Sequence, residues 1–177
     1  MKIRLALAIT AILLSICPAT AQKKTPGKAD PWASLHFLIG SWEANTTGGL
    51  AQGKTARSYS FRFELHAHIL ARHASIGFCP NPEDFDCAHN DLLYIYPGPE
   101  GKGFQAIYFD NSGHVIRYDV TTPKANTALF LSDSTQPGPQ YRLTYQRVEG
   151  TMNGILEVKM PNQGDFSSML EWNGKRR

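Results

Sequence analysis

Hydrophobic and polar residues alternate along most of the chain beyond residue 40. In the segment SYSFRFEL, Tyr59, Phe61 and Phe63 fall on one side of an extended chain, whereas Ser60 and Arg62 fall on the other side. Successive side chains of a β-strand point to opposite faces, so this pattern predicts strands with one buried face. Similar segments follow at 91–96, 103–109, 114–120, 128–132, 140–148, 154–160 and 166–172.

Short segments rich in turn-forming residues separate these strands, for example at 97–99, 111–113 and 137–139. Glycine, proline and asparagine are typical of tight turns, and strands joined by tight turns are antiparallel neighbours. With residues 41–47 and the strands within 55–78 included, the sequence predicts nine or ten strands. An all-β, up-and-down antiparallel barrel is favoured, because closure leaves no exposed strand edge. A sandwich of two sheets is the alternative.

One segment, residues 30–40, has a helical pattern instead. Asp30 can cap the first free N–H groups of a helix, and Pro31 suits the first helical position. Trp32, Leu35 and Leu38 then recur on one face. The pattern predicts one short amphipathic N-terminal helix of about two to three turns, packed against the barrel as a plug.

The first 21 residues have the organisation of a secretory signal peptide. Two basic residues precede an apolar run that ends at Cys17, and Ala19–Ala21 supplies small residues for cleavage. The apolar run is shorter than the roughly 20 residues that span a bilayer. We therefore expect cleavage before Gln22 and a secreted or periplasmic protein that has no stable membrane span after cleavage.

The remaining chain is expected to form one domain with two polar ends. Residues 22–30 lack large apolar side chains and carry three lysines, which is typical of a flexible linker. The barrel domain is assigned to 31–174, a length suited to a single domain. The three basic residues at 175–177 are predicted to form a solvated tail.

The basic overall charge of the chain does not extend to the predicted folded domain. The chain has a net charge of +3, yet only 10 of its 18 basic residues lie within 32–174, against 14 of its 15 acidic residues. Proteins that bind nucleic acids usually concentrate Lys and Arg on one face. The sequence therefore argues against a nucleic-acid partner.

Two cysteines, Cys79 and Cys87, remain after the signal peptide is removed. Exported proteins fold where disulfides persist, and the segment PNPEDFD between the cysteines is rich in turn-forming residues. Seven intervening residues match neither a CxxC redox motif nor a common zinc spacing. We expect a structural disulfide, which would stabilise the fold by about 2–3 kcal/mol.

Several groups of residues link the chain to a known type of barrel. They are Ile39-Gly40-Ser41-Trp42, Ile107-Tyr108-Phe109-Asp110, Gly113-His114, Tyr141-Arg142-Leu143-Thr144-Tyr145, Phe166 and Glu171-Trp172. With these features the chain resembles a family of bacterial lipocalin-like (calycin) β-barrels that is distantly similar to nitrobindin-type haem-binding barrels. The resemblance implies an up-and-down barrel with an interior cavity for a small apolar molecule.

The resemblance does not extend to haem. Nitrobindin-type barrels hold the haem iron through a histidine near the C-terminus, and this chain has no histidine after His114. A haem iron needs such an axial ligand from the protein. We therefore expect no cofactor.

The predicted ligand-binding residues are aromatic side chains together with one arginine. Large rings fill the core of any small barrel, but a barrel of eight or more strands can also hold one small ligand. Tyrosines and a buried arginine such as Arg142 would supply a few polar groups in a mostly apolar pocket. The residues predicted to contact the ligand are Trp42, Tyr59, Phe61, Phe63, Tyr94, Tyr96, Tyr108, Tyr118, Arg142 and Tyr145.

An enzyme in the same barrel is the first alternative to a binding protein. Glu64, His66 and His68 would share one face of an uninterrupted strand and could bind a metal or act as acid and base. However, residues 55–78 are too long for a usual strand, so the chain must reverse there, and 66–68 is the favoured place. A polar surface or turn is therefore the better interpretation. A barrel filled by its own side chains, with a structural or interaction role, is the second alternative.

Overall fold

A computed structural model describes residues 30–49, 57–75, 90–135 and 137–177. The predicted signal peptide and both cysteines, Cys79 and Cys87, lie outside these ranges. The described barrel belongs to the compact unit Pro31–Arg177. Its strands are β1 (Gly40–Gly49), β2 (Arg57–Glu64), β3 (Ile69–Ser75), β4 (Asp91–Pro97), β5 (Phe104–Asp110), β6 (Val115–Thr121), β7 (Thr127–Ser132), β8 (Gln140–Val148), β9 (Thr151–Lys159) and β10 (Ser167–Arg176).

The ten strands form a closed antiparallel barrel. Each strand pairs with its neighbours along the chain, and β10 pairs with β1 to close the sheet. The predicted all-β class, antiparallel barrel and number of strands are therefore confirmed, and the two-sheet sandwich is excluded. Closure pairs the backbone groups of β1 and β10 that would otherwise form exposed edges.

The predicted N-terminal helix is shorter and more tightly wound than expected. It is a 3-10 helix of six residues, η1 (Ala33–Leu38), preceded by Trp32 as the N-cap residue without a side-chain cap. The predicted short helix is thus present only as a 3-10 helix, and its N-cap residue is Trp32 and not Asp30. Trp32, Leu35 and Leu38 are spaced by three, which matches the three residues per turn of a 3-10 helix. A second 3-10 helix, η2, spans Pro99–Gly101. Neither of these described helices has the length and apolarity that crossing a membrane requires.

Helix η1 closes one end of the barrel, which we call the plugged end. The Trp32 indole donates a hydrogen bond to the Ala67 carbonyl over 2.9 Å, and its ring stacks on Phe104 with 4.9 Å between centroids. The Trp42 indole donates to the Leu38 carbonyl over 2.9 Å. Burial of Trp32 and Leu38 against the strand ends therefore fixes η1 in place.

The middle of the barrel is filled by a cluster of aromatic rings around Tyr145. The centroid of the Tyr145 ring lies 5.3 Å from that of Phe61, 5.6 Å from Trp172 and 6.0 Å from Phe130, all at steep interplanar angles. Edge-to-face pairs of this kind stabilise beyond the area that they bury. These four rings, with Tyr59, form a floor that separates the plugged end from the opposite end, which we call the distal end.

The C-terminal basic residues belong to the barrel and not to a tail. Strand β10 extends through Arg176, which pairs with Trp42 of β1, while Lys175 pairs with Thr151 of β9. The backbone N–H of Arg177 donates to the Ser41 carbonyl over 2.9 Å. The predicted tail at 175–177 is therefore corrected, because Lys175 and Arg176 belong to the strand that closes the barrel and the Arg177 backbone bonds to β1.

Close packing inside the barrel predicts that Gly154 does not tolerate a methyl group. A Cβ atom at Gly154 would overlap the indole ring of Trp172, which lies directly across the β9–β10 pair. Gly154→Ala should lower the free energy of unfolding, measured by urea denaturation, by about 1–3 kcal/mol, because overpacking displaces neighbours. The control Gly164→Ala, with open space around it, should change it by less than about 0.5 kcal/mol. Equal effects of both substitutions would contradict the packing.

Candidate functional site

Two charged side chains point into the distal half of the barrel. Arg72 on β3 pairs with Leu93 on β4, and Leu93 is almost completely buried, so Arg72 shares the inward face. Asp91 stands two residues before Leu93 on β4 and therefore points to the same side. In the next pair of strands, Asp110 on β5 lies directly opposite Asp91. The sheet register thus brings these charges together at the distal end.

Arg72 and Asp91 form an ion pair. Nη1 of Arg72 donates to Oδ1 of Asp91, and the two side chains are only 13% and 8% exposed. Charges withdrawn from water in this way are tolerated only when they are paired. Nε of Arg72 is fully buried and makes no hydrogen bond with the described part of the chain. This strong donor inside the barrel therefore has no acceptor among the residues that the structure describes.

Tyrosine rings surround the guanidinium group. Its central carbon lies 5.0 Å from the centre of the Tyr59 ring, within cation–π distance. Burial raises the pKa of Tyr118 and Tyr145 above the ordinary tyrosine value, although the positive charge of Arg72 acts in the opposite direction. Burial, together with the negative charges of Asp91 and Asp110, also raises the pKa of Tyr108. These hydroxyl groups remain protonated at neutral pH and can act as hydrogen-bond donors.

A ring of partly exposed side chains lies on the inward face above this ion pair. The sheet register places these side chains inside the barrel, where they pack against the core, yet they are only half-buried. The residues are Tyr108, Ile116, Tyr141, Leu156 and Leu170. At the plugged end, Leu35, Leu38, Leu70 and Ile95 are completely buried, and the half-buried Phe63 and Phe104 pack against the Trp32 ring. At the distal end, the half-buried inward side chains of the described barrel keep part of their apolar surface exposed. Arg72, Asp91 and this ring form the candidate site, which we call the distal site.

The connection between β5 and β6 shapes the rim of the distal site. Oδ1 of Asp110 accepts hydrogen bonds from the backbone N–H groups of Ser112 and His114, both at 2.9 Å. Oδ2 of Asp110 lies 2.8 Å from Nδ1 of His114 and 3.4 Å from the Tyr108 hydroxyl. Asp110 thereby fixes the tight turn and places Tyr108 beside the ion pair.

Seven of the ten predicted ligand-binding residues point into the barrel, at different depths. Tyr108 and Tyr118 lie at the distal site, and Tyr59 stands beside Arg72. The deeper positions belong to the aromatic core or to the plugged end. The seven residues are Trp42, Tyr59, Phe61, Phe63, Tyr108, Tyr118 and Tyr145.

The other three predicted residues, Tyr94, Tyr96 and Arg142, lie on the outer face. Tyr94 and Tyr96 alternate with the buried residues of β4. Arg142 donates to both carboxylate oxygens of Glu157 over 2.6 Å and is 36% exposed, so it is not the buried arginine. That role belongs to Arg72, which the sequence analysis missed. Its alternation with Leu70 and Ala74 was the available signal.

Glu64, His66 and His68, the group considered for the alternative enzyme, do not share one face. Residues 65–68 form the turn between β2 and β3, where His66 and His68 are exposed and His66 has a positive φ of 55°. The predicted chain reversal is therefore confirmed. On the outer face, Oε1 of Glu64 lies 2.8 Å from Nε2 of His73 and 3.0 Å from Nε of Arg62. Hydrogen bonds from these two side chains lower the pKa of Glu64.

No group of three or more His, Cys, Asp or Glu side chains in the described ranges is arranged to hold a metal ion. The histidines of the 65–68 turn and His73 of β3 thus do not combine into a metal site with Glu64.

A separate surface pocket of about 530 Å³ lies at the plugged end. It is lined by residues of η1 and of the β6–β7 connection, including Lys124, together with Arg147 of β8. None of the ten predicted ligand-binding residues lines this pocket. The pocket lies outside the barrel interior and is distinct from the distal site.

Comparison of the chain with models of known protein families and with curated proteins finds no match. Functional inference therefore rests on the barrel and on the chemistry of its interior.

The ion pair predicts an asymmetric response to mutation. Asp91→Asn leaves the Arg72 charge buried without compensation and should lower the free energy of unfolding by about 3–5 kcal/mol. The double variant Arg72→Met/Asp91→Leu removes both charges and should recover most of that loss. Urea denaturation at neutral pH measures both effects.

The exposed pair Arg142–Glu157 provides the matched control. Glu157→Gln should lower the free energy of unfolding by no more than about 1 kcal/mol, because half-exposed ion pairs contribute little. An Asp91→Asn variant as stable as Glu157→Gln would contradict the burial of the Arg72–Asp91 pair.

Proposed function

We propose that the barrel binds a small, mainly apolar molecule at the distal site. The observation that carries this proposal is the partly exposed inward ring of Tyr108, Ile116, Tyr141, Leu156 and Leu170. Inward side chains of a barrel normally complete a buried core, and at the plugged end the Trp32 ring packs over Phe63 and Phe104. An inward apolar surface that still reaches solvent is what a ligand would cover.

The chemistry of the distal site suits such a ligand. Binding pockets for small molecules are mostly apolar and contain a few polar groups that orient the ligand. Here the apolar area comes from aliphatic and aromatic side chains, and the polar groups are the Arg72–Asp91 pair and the nearby tyrosine hydroxyls. The aromatic floor around Tyr145 limits how deep a ligand would reach.

Several further features belong to the same proposal. The residue groups around Trp42, Tyr108 and Tyr145 support a lipocalin-like relationship, and export of the chain would place the barrel in the periplasm or outside the cell. A disulfide between Cys79 and Cys87, as the sequence predicts, would fit that location. The proposed ligand is a small organic molecule other than haem. Neither a nucleic-acid partner nor an enzymatic reaction is proposed.

Neighbouring residues on opposite faces of β9 provide the test. Leu156 belongs to the inward ring, whereas Ile155 is on the outer face and 37% exposed. Leu156→Gln should raise the dissociation constant for the fluorescent hydrophobic probe N-phenylnaphthylamine by about tenfold, because a polar amide replaces part of an apolar contact of about 1.5–3 kcal/mol. Ile155→Gln should leave it unchanged. Fluorescence titration measures binding, and thermal melts verify folding.

Two results would contradict this proposal. One is the absence of saturable probe binding by the wild-type barrel, which would favour a barrel filled by its own side chains. The other is an equal loss of binding in Leu156→Gln and Ile155→Gln, which would place the probe outside the barrel interior.

A further inference from the structure

We propose that the ligand of the distal site carries a neutral hydrogen-bond acceptor, a carbonyl group, which accepts from Nε–H of Arg72. This inference rests on the proposed function, since it assigns the polar group of the same ligand. The chemical class is therefore a lipophilic ketone, ester or amide, as opposed to a plain hydrocarbon or a fatty acid.

The unpaired Nε–H group of Arg72 is the first argument. This nitrogen is fully buried and has no acceptor among the described residues, while Nη1 is occupied by Asp91. A buried donor without a partner loses its hydration and gains nothing in exchange. A ligand that brings an acceptor to this position removes that penalty, whereas a hydrocarbon leaves it in place.

The charges around Arg72 argue for a neutral acceptor. The positive charge of Arg72 is already compensated by Asp91, and a second carboxylate, Asp110, lies directly opposite Asp91 in the sheet. The side chain of Asp110 is only 4% exposed, so water screens its charge poorly. An anionic ligand would enter a site in which the described carboxylates already outnumber the buried cation. A carbonyl oxygen accepts the same hydrogen bond without adding a charge.

Nearby hydroxyl groups support the same class of ligand. Tyr118 is 4% exposed and Tyr145 is 1% exposed, and both stay protonated at neutral pH. Protonated hydroxyls can donate hydrogen bonds to a carbonyl oxygen. The interior of the distal half thus contains several donors, and the carboxylates described there, Asp91 and Asp110, already have partners.

A matched series of compounds tests the proposal on the wild-type protein. The three compounds have similar sizes and differ in their polar group. Butyrophenone has a carbonyl group, butylbenzene has no acceptor, and phenylbutyrate has a carboxylate. Each compound is titrated against the protein loaded with N-phenylnaphthylamine. Butyrophenone should bind about tenfold more tightly than butylbenzene, a ratio equivalent to about 1.4 kcal/mol. Phenylbutyrate should bind more weakly than butyrophenone.

Arg72→Lys shows whether this preference depends on the guanidinium group. Lysine keeps a positive charge for Asp91 but has no Nε–H donor at that position. The tenfold ratio should fall to about one, with butylbenzene binding retained. The matched control is Arg117→Lys on the exposed outer face of β6, which should keep the wild-type ratio. If Arg72→Lys fails to fold, the double variant Arg72→Met/Asp91→Leu replaces it and should likewise lose the preference for the ketone.

The outcomes separate this inference from the proposed function. Equal affinities for butyrophenone and butylbenzene, with the probe still bound, would overturn the carbonyl assignment and leave the apolar site standing. Tightest binding of phenylbutyrate would also overturn it, in favour of an anionic ligand. Failure of the probe and of all three compounds to bind would overturn the proposed function together with the inference.

Discussion

The ion pair between Arg72 and Asp91 is the constraint on which the interior of this barrel depends. An arginine side chain can be withdrawn from water inside an apolar barrel only if an anion is fixed beside it. The β3–β4 register supplies that anion, because it places Asp91 one inward position beyond Leu93, the residue paired with Arg72. A shift of one residue between these strands would turn one of the two charges outward and leave the other unpaired. The pair therefore specifies the register of the strands as well as the chemistry of the distal site.

The remaining interior is arranged in layers along the barrel axis. Helix η1 covers the plugged end through Trp32 and Leu38, and the rings around Tyr145 fill the middle. Large aromatic side chains supply most of this packing, and Gly154 makes room for Trp172. With two layers filled, the distal layer is the part of the described interior that combines polar groups with exposed apolar surface. The location of the proposed ligand follows from this division.

Much of the barrel could be predicted from the sequence, because strand alternation and turn residues are local signals. It was harder to predict which side chains point into the barrel and which point outward. Tyr94 and Tyr96 were selected for their aromatic rings, yet in β4 the aliphatic Leu93 and Ile95 face inward. Arg142 stands next to the buried Leu143 and so faces the opposite side of β8. The ion pair involving Arg72 is a long-range contact fixed by sheet register. Local pattern does not contain that information.

The C-terminal residues Lys175 and Arg176 and the helix η1 illustrate a second limit of sequence analysis. Lys175 and Arg176 have the composition of a solvated tail, but their backbone groups pair with β1 and β9, an interaction that does not depend on side-chain polarity. In η1, a spacing of three residues fits both an irregular α-helix and a 3-10 helix. The structure has the tighter form, in which Trp32 packs against Phe63 and Phe104. In both places the structure includes a tertiary contact that the local sequence does not reveal.

The most direct test of the account is the NMR signal of the Arg72 Nε–H group. It is assigned in a proton–nitrogen correlation spectrum by its absence from Arg72→Lys. We expect this signal to exchange slowly with water, because the group is buried. We also expect the signal to shift when butyrophenone is added and to stay in place with butylbenzene. A signal that exchanges as rapidly as that of the exposed Arg117, or one that saturating butyrophenone leaves unmoved, would contradict the central claim.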